Sequence, residues 1–179
     1  MRSDELESLV LEGQRFPLWK PDPANREVAF GQDDVKRIIP HRDPFLFVDE
    51  IAGVNLVRGC IRGFRTISPQ DPVFRGHVPE APIYPGVLHM ETMGQLALCM
   101  TYFRAVGDAR ISDEVRLERM LALRIHHGVL LSAVLPGDRL EIHARLLVDD
   151  DITVTFEGQI LKNGGVCSYG VMELIYVDR

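Results

Sequence analysis

Hydrophobic residues follow two patterns along the chain. Between Gly86 and about Ala105 apolar side chains take nearly every position, broken mainly by His89, Glu91 and Gln95. A run this long and even predicts a helix covered on most sides. After Met120 apolar and polar residues fall in shorter stretches, which predict strands at 121–127, 129–134, 139–148, 152–162 and 166–177. Pro136-Gly137-Asp138 and Lys162-Asn163-Gly164-Gly165 give turn signals between the later ones. Near the start, Leu6, Leu9 and Val10 share one face of a short helix over 4–13, with Asp4 as its cap and Glu7 three residues later.

The remaining segments are read from their breakers. Residues 16–23 hold Pro17, Pro21 and Pro23 and are not regular helix. A helical turn is expected near 33–38, stopped by Pro40. Strands are expected at 45–51 and 54–64. Residues 66–85 carry five prolines and predict an irregular loop. Residues 107–119 read as a loop or short helix. We take 1–30 as an N-terminal extension packing on the domain or on a partner chain, and 31–179 as a single domain. One apolar helix followed by long antiparallel strands implies a sheet curled around that helix, an α+β hot-dog fold.

At 179 residues the chain fits one domain with a full core. Its net charge of −6 argues against nucleic acid and anionic lipid as partners. Cys60, Cys99 and Cys167 are scattered, odd in number and without metal-ligand spacing, as expected for reduced thiols in a cytoplasmic protein. The beginning has no apolar stretch of signal-peptide length. The apolar region 87–103 is too short and too polar for a membrane span, so no membrane insertion is expected. No metal is assigned.

The chemistry concentrates in one stretch, Phe74-Arg75-Gly76-His77-Val78-Pro79-Glu80-Ala81-Pro82-Ile83-Tyr84-Pro85-Gly86-Val87-Leu88-His89-Met90-Glu91-Thr92-Met93-Gly94-Gln95. His77 precedes the helix. It reads either as a loop histidine bonded to a backbone carbonyl or as a general base for an acidic carbon proton, since imidazole titrates near working pH. Glu91 lies about 7.5 Å along the helix from Gly86 at the usual rise. It is either an acid paired with an arginine or facing solvent, or a carboxyl kept protonated by apolar neighbours and able to protonate a leaving hydroxyl. Gln95 shares its helix face and can hold its rotamer, or be satisfied elsewhere. The amide of Gly86 at the helix start can stabilise negative charge on a thioester oxygen, or the glycine simply eases the turn after Pro85. His41 reads as a loop organiser, and His143 as a strand histidine with no partner in view.

These residues resemble the β-hydroxyacyl-acyl carrier protein dehydratases of the FabZ type. Pro40-His41-Arg42-Asp43-Pro44-Phe45 is similar to their entry segment, the stretch 76–95 to their active-site loop and central helix, and Val134-Leu135-Pro136-Gly137-Asp138 to their C-terminal half. The resemblance runs from about residue 32 to 177. It implies dehydration of (3R)-3-hydroxyacyl thioesters to trans-2-enoyl thioesters in fatty acid, polyketide or polyene synthesis. His77 would be the base and Glu91 the acid. Gly86 N–H would bind the thioester carbonyl, and the Ile83 carbonyl would orient the His77 ring. The implied assembly is a homodimer in which His77 faces Glu91 of the other subunit, with a trimer of dimers common in the family. No cofactor is implied beyond the phosphopantetheine arm of the acyl carrier protein. Tyr84 stands where methionine is usual. Residues 129–133 lack the usual basic segment, leaving Arg42, Arg62, Arg65 and Arg75 as an expected carrier-docking patch. A noncatalytic acyl-binding subunit and an acyl-thioester hydrolase are the alternatives.

Overall fold

In the computed structural model, which describes residues 3–177, one antiparallel sheet wraps a long helix. Its strands are β1 (Arg26–Gly31), β2 (Glu50–Asn55), β3 (Cys60–Thr66), β4 (Met120–Leu130), β5 (Arg139–Asp149), β6 (Thr153–Lys162) and β7 (Gly165–Tyr176). Across the sheet they run β1-β2-β3-β5-β6-β7-β4. The helices are α1 (Ser3–Gly13), α2 (Gln32–Ile38) and α3 (Gly86–Val106). Helix α3 packs against β3, β5, β6 and β7. Met93, Leu96, Met100 and Phe103 from the helix are fully buried, as are Ile142, Ala144, Phe156 and Ile160 from the strands. A helix apolar on most sides has been covered on most sides, which is the α+β hot-dog arrangement.

Local chemistry sets the ends of these elements. Gly107 is left-handed (φ 73°) and donates to the Phe103 and Arg104 carbonyls, closing α3. Asn163 and Gly164 have φ of 53° and 79°, the two-residue hairpin turn that joins β6 to β7.

The strands differ from expectation in four places. The run at 45–48 is not a strand: Leu46, Phe47 and Val48 are buried, but the Phe47 N–H goes to a glutamine side chain instead of a ladder. The stretch 54–64 is broken by a turn in which Gly59 takes φ 60°. What read as two strands at 121–127 and 129–134 is one strand, β4, which continues through Gly128 paired with Gly170 and ends at Leu130, leaving 131–134 outside the sheet. Its register shifts twice against β7, and each shift upsets the two-residue alternation that sequence reading relies on. Finally, β1 adds an edge strand from a segment with no evident pattern; it begins inside the stretch read as an extension.

The N-terminal segment lies on the sheet face opposite α3. Gly158 packs on Met93 of α3, so its neighbour Gln159 points the other way. There Gln159 accepts from Leu18 N–H at 2.7 Å and donates to the carbonyls of Gly13 and Phe16. Trp19 sits against Gly53, and its backbone N–H donates to His143 Nδ1 at 3.3 Å. His143 Nε2 faces Glu141 at 2.8 Å, so this histidine is partnered on both nitrogens. No helix among the described residues is long and apolar enough to cross a membrane.

Candidate active site

The loop between β3 and α3 is built to hold one histidine. Asp71 accepts the Val73 N–H at 3.0 Å and caps a short 3-10 turn, Pro72–Arg75. The Val73 carbonyl then accepts the His77 N–H at 2.9 Å. Val78 follows with φ 49°, a left-handed conformation that a β-branched residue adopts only under constraint. The loop returns so that the Ile83 carbonyl lies 2.7 Å from His77 Nδ1. A carbonyl only accepts, so Nδ1 carries the proton and the Nε2 lone pair is left basic. The ring is exposed in the single chain.

Glu91 sits on the first turns of α3, one turn before Gln95. The Gln95 amide is saturated: its oxygen accepts from Phe47 N–H at 2.7 Å, and its nitrogen donates to the Phe45 carbonyl at 2.9 Å and to Glu91 Oε1 at 2.8 Å. His41 Nε2 lies 3.4 Å from the same Oε1. Both contacts fall on Oε1, so Oε2 is the oxygen free to carry a proton. The Glu91 side chain is 32% exposed and is flanked by His41 and Gln95, a more open and more polar setting than its apolar sequence neighbours imply.

Glu91, Gln95, His41, Val87 and, from β4, Leu121 and Ile125 line a cavity of about 390 Å³. A cleft of about 540 Å³ adjoins it and shares His41, Leu98, Met120 and Leu121. His77 is not among the lining residues of either, so neither cavity joins it to Glu91 within one chain. At the start of α3 no side chain caps the helix. A Cβ built on Gly86 would meet Leu130 Cδ1 at 2.1 Å, so this position tolerates no side chain unless Leu130 moves.

Of the residues singled out in the sequence, His77 and Ile83 lie on the loop, Gly86 opens α3, and Glu91 and Gln95 share one face of that helix. Sequence reading missed the approach of His41 to Glu91; the only hint was the place of His41 in the entry motif, some fifty residues away. It also misplaced the basic patch. Arg65 is 6% exposed and belongs to the core. Arg62 pairs with Glu27 at 2.5 Å and lies over Trp19, and Arg42 donates to the carbonyls of Lys36, Ile39 and His41. The four arginines do not form one surface. The cause is the strand itself: Arg62 and Arg65 are three apart on β3 and point to opposite faces.

A helix wrapped by an antiparallel sheet, with a fixed acid on the helix and a fixed imidazole on the preceding loop, defines a hot-dog protein with acid–base groups. The FabA-like domain matches residues 39–169. Among curated relatives, the 3-hydroxyacyl-[acyl-carrier-protein] dehydratase FabZ of Sorangium cellulosum is 31% identical over 159 residues, covering 89% of this chain and 98% of that protein. FabZ of Geotalea uraniireducens is 33% identical over 147 residues, covering 82% and 97%. In fold, the chain is similar to the dehydratase heterocomplex ApeI:P from Xenorhabdus doucetiae, with TM-score 0.62 and 21% identity over 81% of this chain and 91% of that one. The chain therefore belongs to the FabA-like family, as a member of the FabZ type.

Proposed function

We propose that this protein removes water from 3-hydroxyacyl thioesters held on acyl carrier protein, giving trans-2-enoyl thioesters, with His77 as base and Glu91 as acid. The observation that carries the reading is the pair of clamps. The Ile83 carbonyl leaves His77 Nε2 as a lone pair, and Gln95 and His41 engage Glu91 Oε1 and leave Oε2 for a proton. Nε2 takes the proton from the carbon beside the thioester. Charge grows on the thioester oxygen, where the Gly86 N–H at the start of α3 stabilises it. The bond from C3 to the hydroxyl breaks as Glu91 Oε2 delivers its proton, and water leaves. Such positioned proton transfers are each worth about 10²- to 10⁴-fold in rate. The acyl chains concerned are those of fatty acid, polyketide or polyene assembly.

The complete site needs a second copy of the chain. β4 ends the sheet, and its Leu121, Leu123 and Ile125 are exposed, as is Val87 beside Glu91. An exposed apolar edge strand is avoided unless it is covered. A homodimer across β4 covers it and can bring His77 of one protomer to the cavity holding Glu91 of the other.

Mass spectrometry of a 3-hydroxyacyl-carrier protein incubated with the enzyme tests the reading. Loss of one water, absent with His77→Ala and with Glu91→Gln while both variants stay folded, is expected. Full activity in both variants overturns the assignment, and release of free carrier indicates hydrolysis instead.

A further inference from the structure

Arg65 on β3 is a buried cation with weak bonds. Its Nη1 donates to the Leu46 carbonyl at 3.4 Å and its Nη2 to Asp71 Oδ2 at 3.5 Å, while Nε has no partner among the described residues. Its guanidinium carbon lies 4.2 Å from the centre of the Phe47 ring and 5.3 Å from that of Tyr84. Burial pulls this guanidinium below the usual arginine range. Buried charges so loosely paired contribute little net stability. The contacts themselves point to another use.

Leu46 and Phe47 belong to the segment that grips Gln95: the Phe47 N–H and the Phe45 carbonyl both bond its amide, which in turn holds Glu91. Asp71 and Tyr84 belong to the loop that presents His77. Asp71 caps the turn whose Val73 carbonyl receives the His77 N–H, and Tyr84 follows Ile83, whose carbonyl holds the ring. One planar group thus touches the supports of both side chains.

We propose that Arg65 is a positioning residue shared by acid and base, its fork holding the 45–47 segment in register with the 71–84 loop. The inference rests on the assignment of His77 and Glu91 above. In a dimer where His77 of one protomer serves Glu91 of the other, Arg65 also links the two sites. Lysine does not replace it, because a single ammonium cannot bridge Leu46 and Asp71 while stacking between two rings.

The test is Arg65→Met, which fills the same space without the fork, beside Arg65→Lys in case the first does not fold. Two readouts are taken on the whole protein. In NMR spectra, the side-chain signals of His77 and of the Gln95 amide are expected to shift together in both variants, while those of Asn55, at the other end of the β2–β3 pair, stay in place. In the dehydration assay kcat is expected to fall about 10- to 100-fold with little change in KM, the scale of a small misplacement of reacting groups. If neither signal moves, or only one does, the shared role is overturned. Joint movement of the signals in a protein whose wild type fails to dehydrate any carrier-bound substrate would uphold the coupling by Arg65 and overturn the acid–base assignment instead.

Discussion

Gln95 donates to Glu91 Oε1 at 2.8 Å from one helical turn away, and the same amide spans the Phe45 carbonyl and the Phe47 N–H. This fixes the acid to a buried segment of backbone instead of leaving it on a mobile side chain. It also selects which carboxyl oxygen is engaged.

Replacing Gln95 tests both the segment it holds and the acid it fixes. Gln95→Leu leaves the Phe47 N–H without a partner in a buried place and the Phe45 carbonyl without one in a half-buried place. We expect a loss of about 2–4 kcal/mol in chemical denaturation. Turnover falls as well, because Glu91 loses its fixed rotamer. Gln95→Glu retains an acceptor for Phe47 N–H but loses the donors to the Phe45 carbonyl and to Glu91 and sets a second carboxyl beside Glu91, so its turnover is expected to fall as well.

Gly86→Ala tests the helix-start amide. The added methyl meets the end of the exposed Leu130 side chain, which can turn away. Thermal unfolding should therefore change little, while turnover drops because the methyl and the displaced Leu130 crowd the amide. In Gly86→Ala with Leu130→Ala the clash is gone. Full activity in that pair would show that only Leu130 mattered and not the approach of substrate to the backbone.

The proposed dimer rests on the edge strand. Leu123→Glu places a charge in the middle of the exposed apolar row on β4. Size-exclusion chromatography with light scattering should show monomers, with dehydration lost although His77 and Glu91 are both present. An active monomer would contradict a site shared between protomers.

Acid sensitivity should trace to His89. It is buried, donates or accepts with Ser168 Oγ at 3.1 Å, and stacks on Tyr84. Burial pulls its pKa from the usual 6.5 down to about 4. The unfolded chain therefore binds a proton first as pH falls, so stability declines from pH 6.5 and the loss is complete below about 4. That difference is worth on the order of 3 kcal/mol. His89→Phe should flatten this part of the curve of unfolding free energy against pH; an unchanged slope would exclude His89 as its source.

The apolar run from Gly86 and the Asn163-Gly164 turn were legible in the sequence because their causes are local: a continuous apolar surface must be covered, and two residues with positive φ close a hairpin. The same holds for Glu91 and Gln95, whose four-residue spacing puts them on one helix face; His77 stood out only by its motif, and the loop bonds that fix its ring belong to the tertiary structure. The features that could not be read this way lie at long sequence separation. The segment 45–48 has strand composition, yet Gln95, some fifty residues away, takes its backbone groups and leaves it irregular. His41 meets Glu91 for the same reason. Arg65 looked like a surface charge, but β3 turns it inward between Phe47 and Tyr84. Periodicity reports which face a residue takes on its own element; it carries no record of which distant side chain supplies the hydrogen bond or ring that makes that face a site.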